Sequence, residues 1–114
     1  MPVYEYEKTI TVDPNKDVTL EIQFPDPGTS AYNDICVSGG DSQSYPAPCS
    51  ATLGKGSTLQ GAAPTEVFSK AANLDADNPK VNINFVVNGR VELTHSNLKS
   101  EDESPQIVVV LTFD

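Results

Sequence analysis

Apolar and polar residues alternate with a period of two over residues 3–12 and 17–24, which predicts two β-strands with one buried face each. Lys8 is the exception to the alternation. The intervening residues 13–16, Asp-Pro-Asn-Lys, have the chemistry of a tight turn, because Pro presets φ and Asp and Asn bond their own backbone. We therefore predict a β-hairpin over residues 3–24.

A second hairpin is predicted around Asn88-Gly89, where the sequence again alternates on both sides. An Asn-Gly pair favours a two-residue type I′ turn, but that turn would place Phe85 opposite Glu92. A shift of one residue moves every side chain to the other face of the sheet, so burial decides the loop length. We predict a three-residue loop that includes Val87, with Phe85 opposite Val91.

The remaining segments are less regular. Residues 32–38 form a short apolar run, and residues 65–74 fit either a short helix or a strand. Residues 106–113 are almost wholly apolar, which is typical of a central strand covered on both faces. Residues 39–64 are rich in Gly, Ser, Ala and Pro, and we predict one long loop there, in which residues 50–53 could form a short strand.

These patterns predict one all-β domain over residues 1–114. The expected fold is an antiparallel two-sheet β-sandwich of immunoglobulin-like type, with about seven to eight strands and the long Gly/Ser/Pro-rich loop 39–64. A chain of 114 residues buries roughly two thirds of its unfolded surface on folding. We therefore expect the fold to need no cofactor, metal or disulfide.

The acidic composition bears on the class of partner. The formal charge is −9, from 16 acidic residues against seven Lys and Arg. Nucleic-acid binding needs clustered basic residues, which the sequence lacks. The longest apolar run, 107–111, is far shorter than the roughly 20 residues of a membrane helix, and no secretory signal follows Met1. We predict protein partners, with neither nucleic acid nor a membrane span.

Cys36 and Cys49 are the two cysteines, and a Gly/Ser/Pro-rich stretch lies between them. A disulfide would constrain the unfolded chain by about 3 kcal/mol. The alternative is two unrelated thiols in a reducing compartment. We favour the disulfide, which would place the protein outside the cell, on a cell surface or in a virion; without it the location is unknown.

The sequence offers little for catalysis. His95 is the only histidine, and its predicted position opposite Val81 points into the core, which favours a hydrogen-bonded core residue over a general base. Residues 54–57, Gly-Lys-Gly-Ser, lack the first Gly of a phosphate loop at the required spacing. We predict no catalytic residues, and we do not expect an enzyme.

Acidic turns supply the candidate calcium ligands, Asp75 and Asp77 in one turn and Glu101 and Asp102 in another. The first turn has alternating oxygen ligands but lacks the Gly at position six and the Glu at position twelve of an EF-type loop. One His and two Cys do not make a familiar zinc set. Asp and Asn are common in turns in any case, so we predict no metal.

The function predicted from these features is that of a non-enzymatic structural or interaction subunit of a fimbrial, virion or cell-surface assembly. Tyr45, Asn88 and Arg90 are the candidate contact residues, and the apolar last strand suits strand pairing between subunits. One alternative is a small carbohydrate- or calcium-binding module. Another is an acidic inhibitor or immunity-type protein that covers a basic partner.

Overall fold

The computed structural model of the chain describes residues 3–46 and 49–114, and within them nine β-strands form most of the fold. The strands are β1 Val3–Ile10, β2 Asp17–Gln23, β3 Thr29–Cys36, β4 Ser42–Pro46, β5 Cys49–Lys55, β6 Thr65–Asn73, β7 Lys80–Val87, β8 Arg90–Leu98 and β9 Gln106–Phe113. Two helical turns accompany them, the 3-10 turn Val37–Gly39 and the one-turn helix α1 Gly56–Leu59. The predicted all-β class is confirmed.

The strands form two sheets that face each other across one core. The five-stranded sheet has the order β1-β9-β6-β3-β4, and the four-stranded sheet has the order β5-β2-β7-β8. β1 and β9 pair in parallel, and the other pairings are antiparallel. The predicted two-sheet sandwich is therefore confirmed, while its immunoglobulin-like type stays a prediction.

The predicted hairpin over residues 3–24 is wrong, although both of its strands exist. β1 pairs with β9 in one sheet, whereas β2 pairs with β5 and β7 in the other. The turn after Asp13 therefore carries the chain from one sheet to the other. Alternation shows only that each strand buries one face. Two such strands can be neighbours in one sheet, or they can belong to two sheets that pack face to face.

The core fills the space between the two inner faces. Its fully buried side chains come from both sheets, and they include Leu20, Ile22, Ile35, Val67, Val81, Ile83, Phe85, Ile107, Val109 and Leu111. Burying each such side chain stabilises the fold by about 1.5–3 kcal/mol. The alternation of apolar residues in β2 and β7 follows from this, because the even-numbered side chains of β2 and the odd-numbered side chains of β7 reach the core.

The β7–β8 hairpin has a two-residue turn, so the predicted three-residue loop is wrong. Asn88 and Gly89 both have positive φ, 51° and 80°, as a type I′ turn requires. The register then shifts beyond Val86, so that Phe85 lies opposite Leu93 and not opposite Val91. This β-bulge inserts one extra residue and returns the apolar side chains of both strands to the same face.

The segment 39–64 is not one long loop. It contains β4 and β5, and β5 includes the short strand expected at residues 50–53. Residues 65–74, which were ambiguous, form strand β6, Thr65–Asn73. Its buried positions are occupied in part by small polar side chains such as Ser69. A count of apolar residues therefore does not show the period of two that identifies a strand.

Candidate interaction surface

His95 is a fully buried member of a hydrogen-bond chain at one edge of the sandwich. It lies on β8 opposite Ile83, not opposite Val81 as predicted, and it points inward as expected. Its Nδ1 atom is 2.7 Å from the Tyr6 hydroxyl oxygen, and its Nε2 atom is 2.7 Å from the Asn97 side-chain oxygen. The chain links β1 of one sheet to β8 of the other.

The Asn97 side chain fixes the tautomer of His95. The Asn97 amide nitrogen donates to the backbone oxygens of Leu98 and Asp102, at 2.9 and 2.8 Å. Its side-chain oxygen therefore accepts, so the Nε2 atom of His95 carries the hydrogen and the Nδ1 atom accepts from Tyr6. Both ring nitrogens of the neutral histidine are thus engaged within the fold.

Burial sets the titration of this group. Desolvation lowers the pKa of His95, although the hydrogen bond to Asn97 and the charge of Asp102 oppose that shift. Burial also raises the pKa of Tyr6, and the neighbouring Tyr4 raises it further. The neutral imidazole packs edge-on against the Tyr4 ring, with 4.6 Å between the ring centroids. The arrangement is that of a polar core residue.

The predicted disulfide is not formed, and both cysteines are free. Cys36 ends β3 of the five-stranded sheet, and its sulfur lies 2.7 Å from the Gly40 carbonyl oxygen. Cys49 begins β5 of the other sheet, packs against the core, and approaches the Asn33 amide nitrogen at 3.9 Å. Burial raises the pKa of the Cys49 thiol, and a backbone hydrogen bond from Ile22 partly offsets the shift. The extracellular location inferred from a bridge therefore loses its basis.

We expect reductant to leave the thermal midpoint of the protein unchanged. A bridge between Cys36 and Cys49 would contribute about 3 kcal/mol, which shifts the midpoint of a domain this size by about 10 °C or more. Differential scanning calorimetry with and without a reducing phosphine tests this, and mass measurement after alkylation of the unfolded chain counts the free thiols. A midpoint that falls by several degrees in reductant would contradict the structure.

The calcium candidates serve as turn residues. The Asp75 carboxylate accepts from the Asp77 backbone N–H at 3.0 Å, and Asp102 accepts from the Ser104 backbone N–H at 3.0 Å. Lys99 joins the two loops, because its ammonium group donates to the Asp75 carbonyl oxygen at 2.5 Å. In residues 3–46 and 49–114, no three His, Cys, Asp or Glu side chains are grouped as metal ligands. Glu101 accepts from the backbone N–H of Leu98.

The three predicted contact residues have different environments. The Asn88 side-chain oxygen accepts from the Thr19 backbone N–H at 2.9 Å, so Asn88 joins the hairpin tip to β2. Tyr45 packs partly against the core, and its hydroxyl donates to Gln43 at 3.2 Å. Asn88 and Arg90 are both exposed, and in the part of the chain that the structure describes the Arg90 side chain, 84% exposed, has no bond to a strand other than its own.

Residues 54–57 pack against the first turn of the chain. The Gly56 N–H donates to the Lys16 carbonyl at 2.9 Å, and the Ser57 N–H donates to the Pro14 carbonyl at 3.0 Å. A phosphate loop needs free backbone N–H groups that point at the ligand. Here the N–H groups of Gly56 and Ser57 are hydrogen-bonded to backbone, and close packing on Asp13 and Pro14 accounts for the glycine at position 56.

The two outer faces of the sandwich differ in polarity. Outward positions of the four-stranded sheet are mainly polar, and they include Thr19, Glu21, Thr52, Asn82, Asn84, Thr94 and Ser96. Val86, Val91 and Leu98 are the apolar exceptions, near the two ends of the β7–β8 hairpin. The outer face of the five-stranded sheet has an apolar stripe, which we define as Phe68, Val108 and Val110. β9 is central, as predicted, between β1 and β6. However, these three side chains are only half-buried, and the part of the chain that the structure describes adds no third layer over them.

Carboxylates flank the apolar stripe on both sides. On one side, Glu5 and Glu7 of β1 pair with Val108 and Val110. On the other side, Glu66 pairs with Val110, Asp34 pairs with Phe68, and Lys70 lies one step further along β6. Four acidic residues and one lysine thus surround three apolar side chains. The stripe combines a half-buried apolar centre with a mainly negative rim.

A groove of about 430 Å³ opens on this face. We call it the outer groove, and its lining includes Phe68, Val108, Asp34, Glu66, Cys36 and Ser42. The Asp34 carboxylate is held in place, because the Ser44 hydroxyl donates to it at 2.8 Å and the Tyr32 hydroxyl lies 2.9 Å from the Ser44 oxygen. The outer groove therefore has an apolar floor and fixed negative charge on its wall.

Sequence reasoning did not identify this surface. Phe68 lay in the segment that fitted either a helix or a strand, so its neighbours could not be inferred. The sequence predicts that the outward valines of β9 are covered, because a run that is apolar at every position is typical of a strand buried on both faces. The apolar side chains of Val108 and Val110 do indicate a covering layer. They do not show whether that layer belongs to this chain or to a partner.

Comparisons with known proteins assign no family to the chain. No protein-family model matches it, and no curated protein sequence matches it. Within the described residues, no helix has the length and apolar character needed to cross a membrane. Functional inference therefore depends on the surface itself.

Proposed function

We propose that this chain is a non-enzymatic interaction subunit that docks on a partner protein through the apolar stripe. One observation carries the proposal: β9 has the composition of a strand covered on both faces, yet its outward residues Val108 and Val110 are only half-buried. Soluble monomers rarely expose large contiguous apolar patches, and apolar patches with a polar rim commonly mark contact sites. A partner surface would supply the missing layer.

The sheet edges are poorer docking sites than this face. β1 carries Glu5, Glu7 and Lys8, and β4 is a short strand of five residues that ends at Pro46. The edge strands β5 and β8 of the other sheet each contain a register irregularity. Charges, short length and bulges are the features that natural sheets use against edge pairing. The apolar last strand, expected to pair between subunits, already has β1 and β6 on its two sides.

Replacing Val108 and Val110 together by threonine should release the chain from its partner. Threonine keeps the β-branched shape but adds hydroxyl groups to the stripe, so the contact weakens while the fold persists. We expect the tagged wild-type chain to elute in a larger complex from extracts of the cells that produce it. In the double variant, the dissociation constant of the complex should rise about tenfold, which corresponds to about 1.4 kcal/mol, and the complexed fraction should fall accordingly.

Thr52→Ser on the opposite face is the matched control, and it should leave the complex unchanged. The thermal midpoints of the purified variants show whether each has folded. Elution of the wild-type chain as a free monomer would contradict the proposal. Equal behaviour of the double variant and the wild type would contradict it as well.

A further inference from the structure

We propose that the outer groove receives an arginine or lysine side chain from the partner protein. This inference rests on the proposed function, because it specifies the chemistry of the partner that covers the apolar stripe. It makes the contact heterologous, with an acidic groove on this chain and a basic anchor on the other. The argument uses the floor of the groove, its charge and the charge of the whole chain.

The floor suits the long stem of a basic side chain. Phe68 and Val108 are paired neighbours on β6 and β9, and together they form half-buried apolar surface. Arginine and lysine pack their methylene stems along such surface while their charged ends stay in polar surroundings. A guanidinium group can also lie over the Phe68 ring, which attracts cations through its negative face.

The wall supplies the opposite charge. Asp34 and Glu66 lie on neighbouring strands beside this floor. Because the Ser44 hydroxyl holds the Asp34 carboxylate, less side-chain entropy is lost when a cation binds there. Carboxylates also accept bidentate hydrogen bonds from arginine, which adds geometric specificity. A glutamate side chain of a partner would meet like charge in the same place.

A second copy of this chain is a poorer occupant of the groove. Two copies that met by this face would bring Glu5, Glu7 and Glu66 of each copy towards the same acidic rim, and both copies carry a charge of −9. Like charges brought together in an interface disfavour the contact. The chain has one arginine, Arg90, which is exposed at a hairpin tip, so insertion of Arg90 from another copy is a distinct outcome of the test.

The test is a titration of the isotope-labelled protein, followed by NMR, with N-acetyl-arginine amide as the probe. N-acetyl-citrulline amide has nearly the same shape without the charge, and it is the matched control ligand. We expect saturable shifts of the amide signals of Phe68, Val108 and Glu66 with the arginine probe. The citrulline probe should bind at least about tenfold more weakly, because its ureido group has no positive charge to pair with the carboxylates.

Glu66→Gln should weaken binding of the arginine probe severalfold, whereas Glu21→Gln on the opposite face should not. Equal binding of the two probes, or shifts centred away from the outer groove, would overturn the inference. A further result would also overturn it. If the amide signals of the outer groove shift when the protein alone is concentrated, and this shift is lost in Arg90→Gln, then the occupant is a second copy.

The two proposals fail separately. If the Val108 and Val110 double variant leaves its complex but the arginine probe does not bind, the docking surface stands and the basic anchor is wrong. If the arginine probe binds in the groove while the double variant keeps its complex, the groove binds cations but the proposed docking function is wrong.

Discussion

Gly56→Ala is expected to lower the free energy of unfolding by about 3 kcal/mol. A Cβ atom at this position would lie 2.1 Å from the carbonyl oxygen of Asp13 and 3.1 Å from the Cα atom of Pro14. These are backbone atoms, so rotation of a side chain cannot relieve the overlap. The turn after β1 must move away, and the two backbone hydrogen bonds to Lys16 and Pro14 lengthen with it.

Urea unfolding of the variant measures this loss. Ser57→Ala is the matched control, because Ser57 is exposed and its backbone hydrogen bond to Pro14 survives the change. We expect the control to differ from the wild type by less than about 0.5 kcal/mol. A Gly56→Ala protein as stable as the wild type would show that the turn does not pack against residues 54–57.

His95→Leu is the second change with a large expected effect, a loss of about 3 kcal/mol of folding free energy. Leucine fills much of the same volume but leaves the Tyr6 hydroxyl and the Asn97 side-chain oxygen without their partner. The buried Asn97 oxygen, left unsatisfied, costs about 1–3 kcal/mol, and the part-buried Tyr6 hydroxyl costs less. His95→Gln, which keeps a polar side chain, should lose less. Chemical denaturation at neutral pH compares the three proteins, and equal stability would contradict the network.

The same network predicts a pH dependence with a definite sign. Because burial lowers the pKa of His95, the folded state binds its proton more weakly than the unfolded state does. The stability from neutral His95 is complete above the ordinary value of 6.5 and is lost as the pH falls towards the lowered pKa. A proton on the Nδ1 atom would also force the Tyr6 hydroxyl to turn its hydrogen away.

The difference between wild type and His95→Leu isolates this effect from the titration of the surface carboxylates. We expect the stability advantage of the wild type to shrink as the pH is lowered below 6.5, because leucine has no proton to bind. Unfolding free energies of both proteins between neutral and mildly acidic pH give the comparison. A constant difference across this range would mean that His95 does not titrate with a lowered pKa.

Alternation of apolar residues predicted much of the fold. It located β2, β7 and β9 closely, because every second side chain of these strands is a large apolar residue that reaches the core. It also placed His95 inward by its parity. Burial correctly decided that Phe85 must face an apolar residue of β8.

Alternation could not supply the neighbour of a strand or the position of a bulge. β1 and β2 have the right pattern for a hairpin, but the same pattern serves two strands of opposite sheets. In β7–β8, the Asn88-Gly89 preference and the burial of Phe85 conflicted only if the strands were regular. A bulge satisfies both. Its position could not be predicted, because the alternation of apolar and polar residues in β7 is the same with or without a bulge in β8.

The candidate site was harder to predict than the fold, because it depends on surface that residues 3–46 and 49–114 leave uncovered. The Gly/Ser/Pro-rich stretch between Cys36 and Cys49 suggested a long loop that a bridge would stabilise, but that stretch contains β4 and ends where β5 begins, and both cysteines are free. Of the predicted contact residues, Asn88 and Arg90 are exposed at the β7–β8 hairpin tip, away from the apolar stripe, and Tyr45 packs partly against the core. The apolar stripe instead combines residues of β6 and β9, which become neighbours only when the sheet order is known.

Site-specific photo-cross-linking tests the docking surface most directly. A photoreactive phenylalanine analogue replaces Val110 on the apolar stripe in one protein and Thr52 on the opposite face in another, each made in the cells that produce the chain. We predict a discrete cross-linked protein from position 110, absent at position 52 and reduced when Val108 is also changed to threonine. No product from position 110, or the same products from both positions, would contradict a docking role for this face.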